Sequence, residues 1–114
     1  MVEQYEIWIA DLNPQIGTET GKTRPVMIAQ TDLLNVIPHP STLICPLTTK
    51  IRSDVEILRV HCSKGQANLD QASDIMIDQL RAIDNTRLIR KLGSLPKETV
   101  THVESSIRIL FDLD

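Results

Sequence analysis

Two short segments concentrate the residue types that could do chemistry. GTETGKTRP, Gly17 to Pro25, carries Glu19, Thr20, Lys22 and Arg24 directly into the apolar run VMIAQ, and a second set, Thr48, Thr49, Lys50 and Arg52, follows STLICPL. Both sets stand where a strand should meet a loop. Arginine presents a planar fork of donors that can hold a phosphate bidentately and keeps its charge at working pH, while lysine supplies a mobile point charge. Such side chains suit a phosphodiester. The same residues also fit an ordinary solvated loop, with Thr-Thr ending a strand and Gly21 present for a positive φ, so residue chemistry leaves both readings open.

Other chemistries have less to build on. His39, His61 and His102 form no spaced metal set and read as surface or loop residues, and Cys45 and Cys62 lack the CxxC spacing of a zinc site or a disulfide framework. No metal site or cofactor is expected. Nucleophile-elbow, Walker and dinucleotide-binding signatures are missing, and the spacing of Gly17 and Gly21 fits none of them. The only aromatic residues, Tyr5, Trp8 and Phe111, lie outside the loop segments, which gives no stacking platform for bases; Trp8 reads as core or interface. A formal charge of −3 argues against a protein that coats nucleic acid nonspecifically, so any polyanion site must be local.

The elements that must position these groups are short. β-Branched segments run over 6–12 (EIWIADL), 25–30 (PVMIAQ), 41–48 (STLICPLT), 54–60 (DVEILRV) and 73–77 (SDIMI), separated by turn signals. Ile7, Trp8, Ile9 and Ala10 put apolar groups on both faces of the first, which suits a strand covered by a core on one side and by a helix or second subunit on the other. Gly93 can end a short helix over 86–91, and Pro96 can open a final helix whose Val100, Val103, Ile107 and Leu110 form one stripe. With no repeat, linker or low-complexity tract, residues 1–114 read as one domain. Its expected class is α+β, a small curled antiparallel sheet or barrel with a C-terminal helix, in a strand order that pattern leaves open. No run is long and apolar enough for a membrane span, and the N-terminus lacks the sections of a signal peptide, so the expected location is the cytoplasm.

The ordered set G-x-E-x-G-K-x-R-P-V, CPLTT, DQLRAID and RLIRKLG resembles the MazF/PemK (Kid) toxin endoribonucleases, from about Glu6 to the final helix. The resemblance implies an SH3-like barrel shared with the CcdB toxins, a homodimer, and metal-independent cleavage of single-stranded RNA at short motifs. It further implies a cognate MazE-like antitoxin whose tail folds onto the basic groove. By the same resemblance Arg24 and Thr48 are the catalytic pair, and Glu19 is a base or aligns Arg24. Thr20, Gly21, Lys22, Thr49, Lys50, Asp78 and Gln79 contact the RNA. Kid-like members place an Arg two residues before the Asp of D-Q and a His in the first loop; this chain has Met76 and Thr18 there. That favours the Arg/Thr arrangement over Asp78 as base. The alternatives are a noncatalytic poison of DNA gyrase like CcdB, or a degenerate homologue that only binds antitoxin or RNA. The C-terminal sequence Phe111-Asp112-Leu113-Asp114 lacks the Trp-Gly-Ile of the gyrase poisons, and retention of both Arg24 and Thr48 speaks for turnover.

Overall fold

The apolar residues of the first strand divide between two cores, and that division organises the fold. In β1 (Glu6–Asp11), Ile7 joins one buried cluster and Ala10 the other; register shifts after Ile7 and after Ile9 turn the strand between them. The computed structural model describes residues 1–55 and 57–114. Among these, β1 is followed by β2 (Thr23–Ile28), α1 (Asp32–Asn35), β3 (Ser41–Thr48), β4 (Arg59–Cys62), β5 (Ser73–Met76), β6 (Arg81–Asp84), β7 (Leu88–Ser94) and α2 (Lys97–Leu110).

The strands pair antiparallel in the order β4-β5-β3-β2-β1-β7, with β6 against β3 as well. β3 is long enough to serve two partners along one edge. Ser41 to Ile44 face β6, and Leu47 and Thr48 face β5, while β2 occupies the other edge. Because β5 and β6 diverge from this shared strand and β4 and β7 remain as unpaired ends, the sheet stays open and the expected barrel does not close.

One face packs Ile7, Met27, Cys45, Leu47, Val60 and Ile75 against α2, where Val103 is fully buried and Val100 and Ile107 pack at the edge. Leu110, the last residue of the expected stripe, lies at the exposed end of the helix. Pro96 stands just before the first helical turn, where its missing N–H costs nothing. The second face packs Ala10, Leu12, Val26, Ile28, Ile44 and Ile83, with Trp8 and Leu88 partly buried over them. No helix is long and apolar enough to cross a membrane among the described residues.

Two further expectations fail. Strand β4 begins at Arg59, five residues later than the 54–60 segment suggested; Ser53–Val55 form a single 3₁₀ turn, and Glu56 lies outside the described residues. The segment expected as a helix over 86–91 is a 3₁₀ turn, Asn85–Arg87, followed by β7. Gly93 therefore does not terminate a helix. It pairs with Ile7 in the ladder, and a Cβ there would lie 2.8 Å from the backbone carbonyl of Ala67. Close approach of two backbones is what excludes a side chain at this position.

Candidate active site

The polar groups of interest occupy one line across the sheet. β2 pairs with β3 so that Val26 faces Pro46, and continuing that register by two residues sets Arg24 opposite Thr48. Thr48 in turn faces Asp74 on β5, and Asp74 faces His61 on β4. Directly opposed residues share a face. Here it is the face of the second core, whose apolar rows Ile28–Ile44 and Val26–Pro46 give way to Arg24–Thr48 at the end of the sheet.

Arg24 is half-buried and anchored by two of its three nitrogens. Its Nε donates to the Gly21 carbonyl at 2.8 Å and its Nη1 to the Leu47 carbonyl at 3.1 Å, so the loop and β3 both grip it. Burial lowers its pKa from the ordinary arginine value, yet a guanidinium keeps its proton. The remaining nitrogen makes no hydrogen bond among the described residues and can meet an anion. Thr48 accepts a hydrogen bond from the Lys50 N–H at 3.2 Å through Oγ1, leaving its single O–H free to donate. Lys22, Arg24, Thr48, Thr49, Lys50 and Ser73 line a cleft of about 260 Å³ together with Thr23, Pro25 and Leu47. A larger hollow of about 510 Å³ lies elsewhere, among Met1, Trp8, Leu34, Val36 and Ile37, and is chiefly apolar.

The loop before Arg24 holds its shape through specific contacts. Gly21 does not have a positive φ; a Cβ on it would come within 2.6 Å of the Gln15 Cβ, so the glycine leaves room for the close approach of Gln15. Gly17, φ 58°, and Lys22, φ 70°, are the left-handed positions; the Lys22 N–H donates to Asn13 Oδ1 at 2.9 Å and its carbonyl accepts from the Leu12 N–H. Those bonds hold a conformation that a non-glycine residue adopts at a cost.

Other candidates fall beside the cleft. Glu19 pairs with Arg81 Nη1 at 3.2 Å, and the same nitrogen donates to the Thr20 carbonyl at 3.3 Å, so Glu19 and Thr20 are tied to β6. Asp78, exposed, and Gln79 sit in a 3₁₀ turn after β5 and do not line the cleft. Met76 is buried on β5 opposite Arg59. Cys45 and Cys62 are buried free thiols in the first core; burial, then nearby Asp78 and Asp74 respectively, push them up to about 12 and about 11. Among the described residues, no three His, Cys, Asp or Glu side chains gather as a metal ion would need.

Sequence reasoning passed over Asp74, the ladder partner of Thr48, and Arg59, and read His61 only as a surface or loop residue; it is exposed, on β4, and faces Asp74. Asp74, almost fully buried, is met by the Arg52 N–H at 3.0 Å, by His61 Nδ1 at 3.1 Å and by Arg59 Nη1 at 3.6 Å. A lone carboxylate within the apolar run SDIMI was the available signal.

A family model described as PemK-like, MazF-like toxin of type II toxin-antitoxin system matches residues 3–111. Among solved structures, the chain is similar to the Mycobacterium tuberculosis toxin MazF-mt6, at 26% identity and TM-score 0.79 over 96% of this chain and 98% of that one. It also resembles MazF from Deinococcus radiodurans, at 20% identity and TM-score 0.79 over 98% and 97%. A mycobacterial endoribonuclease in complex with its cognate antitoxin shares the fold at 14% identity and TM-score 0.80, over 100% and 98%.

Proposed function

The chain belongs to the PemK-like, MazF-like toxins of type II toxin-antitoxin systems, and from that premise we propose that it is an endoribonuclease that cuts single-stranded RNA by using the RNA's own 2′-hydroxyl. The observation that supports this most is that Arg24 and Thr48 line one open cleft at the sheet end. In this reaction the 2′-oxygen attacks phosphorus and the P–O5′ bond breaks, giving a 2′,3′-cyclic phosphate and a free 5′-hydroxyl. The 2′ proton leaves to a base and a proton reaches the departing oxygen. No protein nucleophile is needed, so the work of the site is alignment and charge stabilisation.

Arg24, fixed by two carbonyls, turns its third nitrogen and its charge to the nonbridging oxygens, where negative charge grows. Thr48 donates its O–H to one of them. Lys22 and Lys50, exposed at the two rims, guide the flanking backbone without rigid geometry. Glu19, held by Arg81, shapes the first loop and contributes to RNA choice more than to proton transfer.

Relatives solved as toxin with antitoxin support a MazE-like antitoxin as the partner of this chain. Exposed Leu33, Val36 and Ile37 beside the apolar hollow support burial against a second copy in a homodimer. Cleavage of a long mixed-sequence RNA in EDTA tests the reading: discrete cuts by the parent, lost in Arg24→Ala and in Thr48→Ala, are expected. Intact RNA after incubation with folded parent protein would refute it, and cleavage that requires a divalent cation would refute the metal-free step.

A further inference from the structure

The Thr48 hydroxyl does not stand alone; three contacts link it to a buried carboxylate beside the turn. Thr48 Oγ1 accepts from the Lys50 N–H at 3.2 Å, and the Lys50 carbonyl accepts from Arg59 Nη1 at 2.8 Å. That guanidinium lies 3.6 Å from one oxygen of Asp74, and the same oxygen accepts from the Arg52 N–H at 3.0 Å. The other oxygen faces His61 Nδ1 at 3.1 Å. The 48–52 turn is thus tied to Asp74 at two places, directly through the Arg52 backbone and through Arg59. Asp74 is also the ladder partner of Thr48, about 5 Å away between neighbouring strands.

We propose that Asp74 is a positioning residue for RNA cleavage: its buried carboxylate fixes the 48–52 turn, and through the Lys50 N–H it points the Thr48 hydroxyl into the cleft. This rests on the nuclease reading above. Beside Ile75 and Met76 an apolar side chain would serve stability as well as a buried charge does, because desolvating a carboxylate offsets most of what its pairing returns. What the carboxylate adds is direction. With one lone pair of Thr48 Oγ1 occupied by the Lys50 N–H, the O–H is left pointing outward; with the turn released, the hydroxyl is free to rotate back to local carbonyls.

A double-substitution cycle tests this. Asp74→Ala should lower kcat by about tenfold to a hundredfold with little change in KM, while in a Thr48→Ala background the same substitution should change kcat by less than about threefold. Asp74→Asn, which keeps an acceptor oxygen for the Arg52 N–H and Arg59 but loses the negative charge, should fall between, and it carries the test if the alanine variant does not fold. Asp54→Asn, an exposed loss of the same charge, should match the parent. Amide exchange at Lys50 and Arg52 should quicken by about tenfold in the Asp74 variants. Parental kcat in Asp74→Ala, an equal loss in both backgrounds, or unchanged exchange at both amides would each overturn the proposal. Should the parent leave RNA intact, the nuclease reading falls by itself, and the amide exchange alone judges whether Asp74 holds the turn.

Discussion

Replacing Arg24 by lysine separates charge from geometry. The guanidinium spends Nε on Gly21 and Nη1 on Leu47, at 2.8 and 3.1 Å, and in the proposed reaction what remains meets the phosphate. A lysine has one nitrogen for all three directions. Drawn toward the two carbonyls, its ammonium sits farther from the phosphate. At an effective dielectric of about 20, retreat from ~4 to ~6 Å cuts the attraction from ~4 to ~3 kcal/mol, which is roughly tenfold in rate. Loss of the directed hydrogen bond to the developing charge costs about another tenfold or more. Arg24→Lys should therefore retain about 1% of parental kcat, and Arg24→Ala about 0.1% or less, with KM moving by less than either. Steady-state cleavage of a fluorogenic RNA in EDTA reads both constants, and circular dichroism checks the fold. A lysine variant within about threefold of the parent would show that charge alone suffices and that the anchored fork is irrelevant; a change confined to KM would show that Arg24 only binds the ground state.

Three further outcomes follow from the structure. Gly93→Ala forces a methyl within 2.8 Å of the Ala67 backbone and should destabilise by about 1–3 kcal/mol, lowering Tm by roughly 4–12 °C in a thermal melt, whereas an unchanged Tm would mean the two backbones separate freely. Burial raises the Glu6 carboxyl, but Lys91, Trp8 and the Glu3 N–H outweigh it and hold the pKa below the ordinary 4.5. Its contribution is accordingly complete above about pH 4.5 and lost as pH falls through the lower folded pKa. Denaturant titrations should show the parent's advantage over Glu6→Gln shrinking only in that acid range. Cys45 and Cys62, buried with thiols pushed up to about 12 and about 11, should resist a thiol reagent at pH 8 until urea unfolds the chain; prompt labelling of the native protein would contradict the burial.

Local pattern revealed what local chemistry decides. The strands over 6–12, 25–30 and 41–48 are β-branched and bounded by turns, and α2 announces itself by Val100, Val103 and Ile107, so these were legible. β7 was not. Leu88, Ile89 and Leu92 in a basic run mimic helical spacing, and only pairing with β1, far away in sequence, makes an edge strand of them. The site divides the same way. Arg24 and Thr48 stand at strand ends and in motifs, visible one at a time, but their opposition depends on β2–β3 register. The link from Thr48 to Asp74 and His61 is longer still, since it needs β3, β5 and β4 side by side. The resemblance offered Glu19 as a base or as aligning Arg24, while β6 brought it Arg81.

The joining of β1 to β7 has a consequence for the moment of synthesis. Glu6 meets Ser94 in the ladder, so the strand made first waits for the one made last among the seven. At about 5–20 residues per second, the 88 residues between them take roughly 4–18 s to emerge. From the time Thr48 has emerged until β7 follows, a nascent chain carries Arg24 and Thr48 on strands whose neighbour β1 has one open edge. The sheet that carries Arg24 and Thr48 therefore gains its last edge only after β7 has emerged, whatever the local stability of β2 and β3.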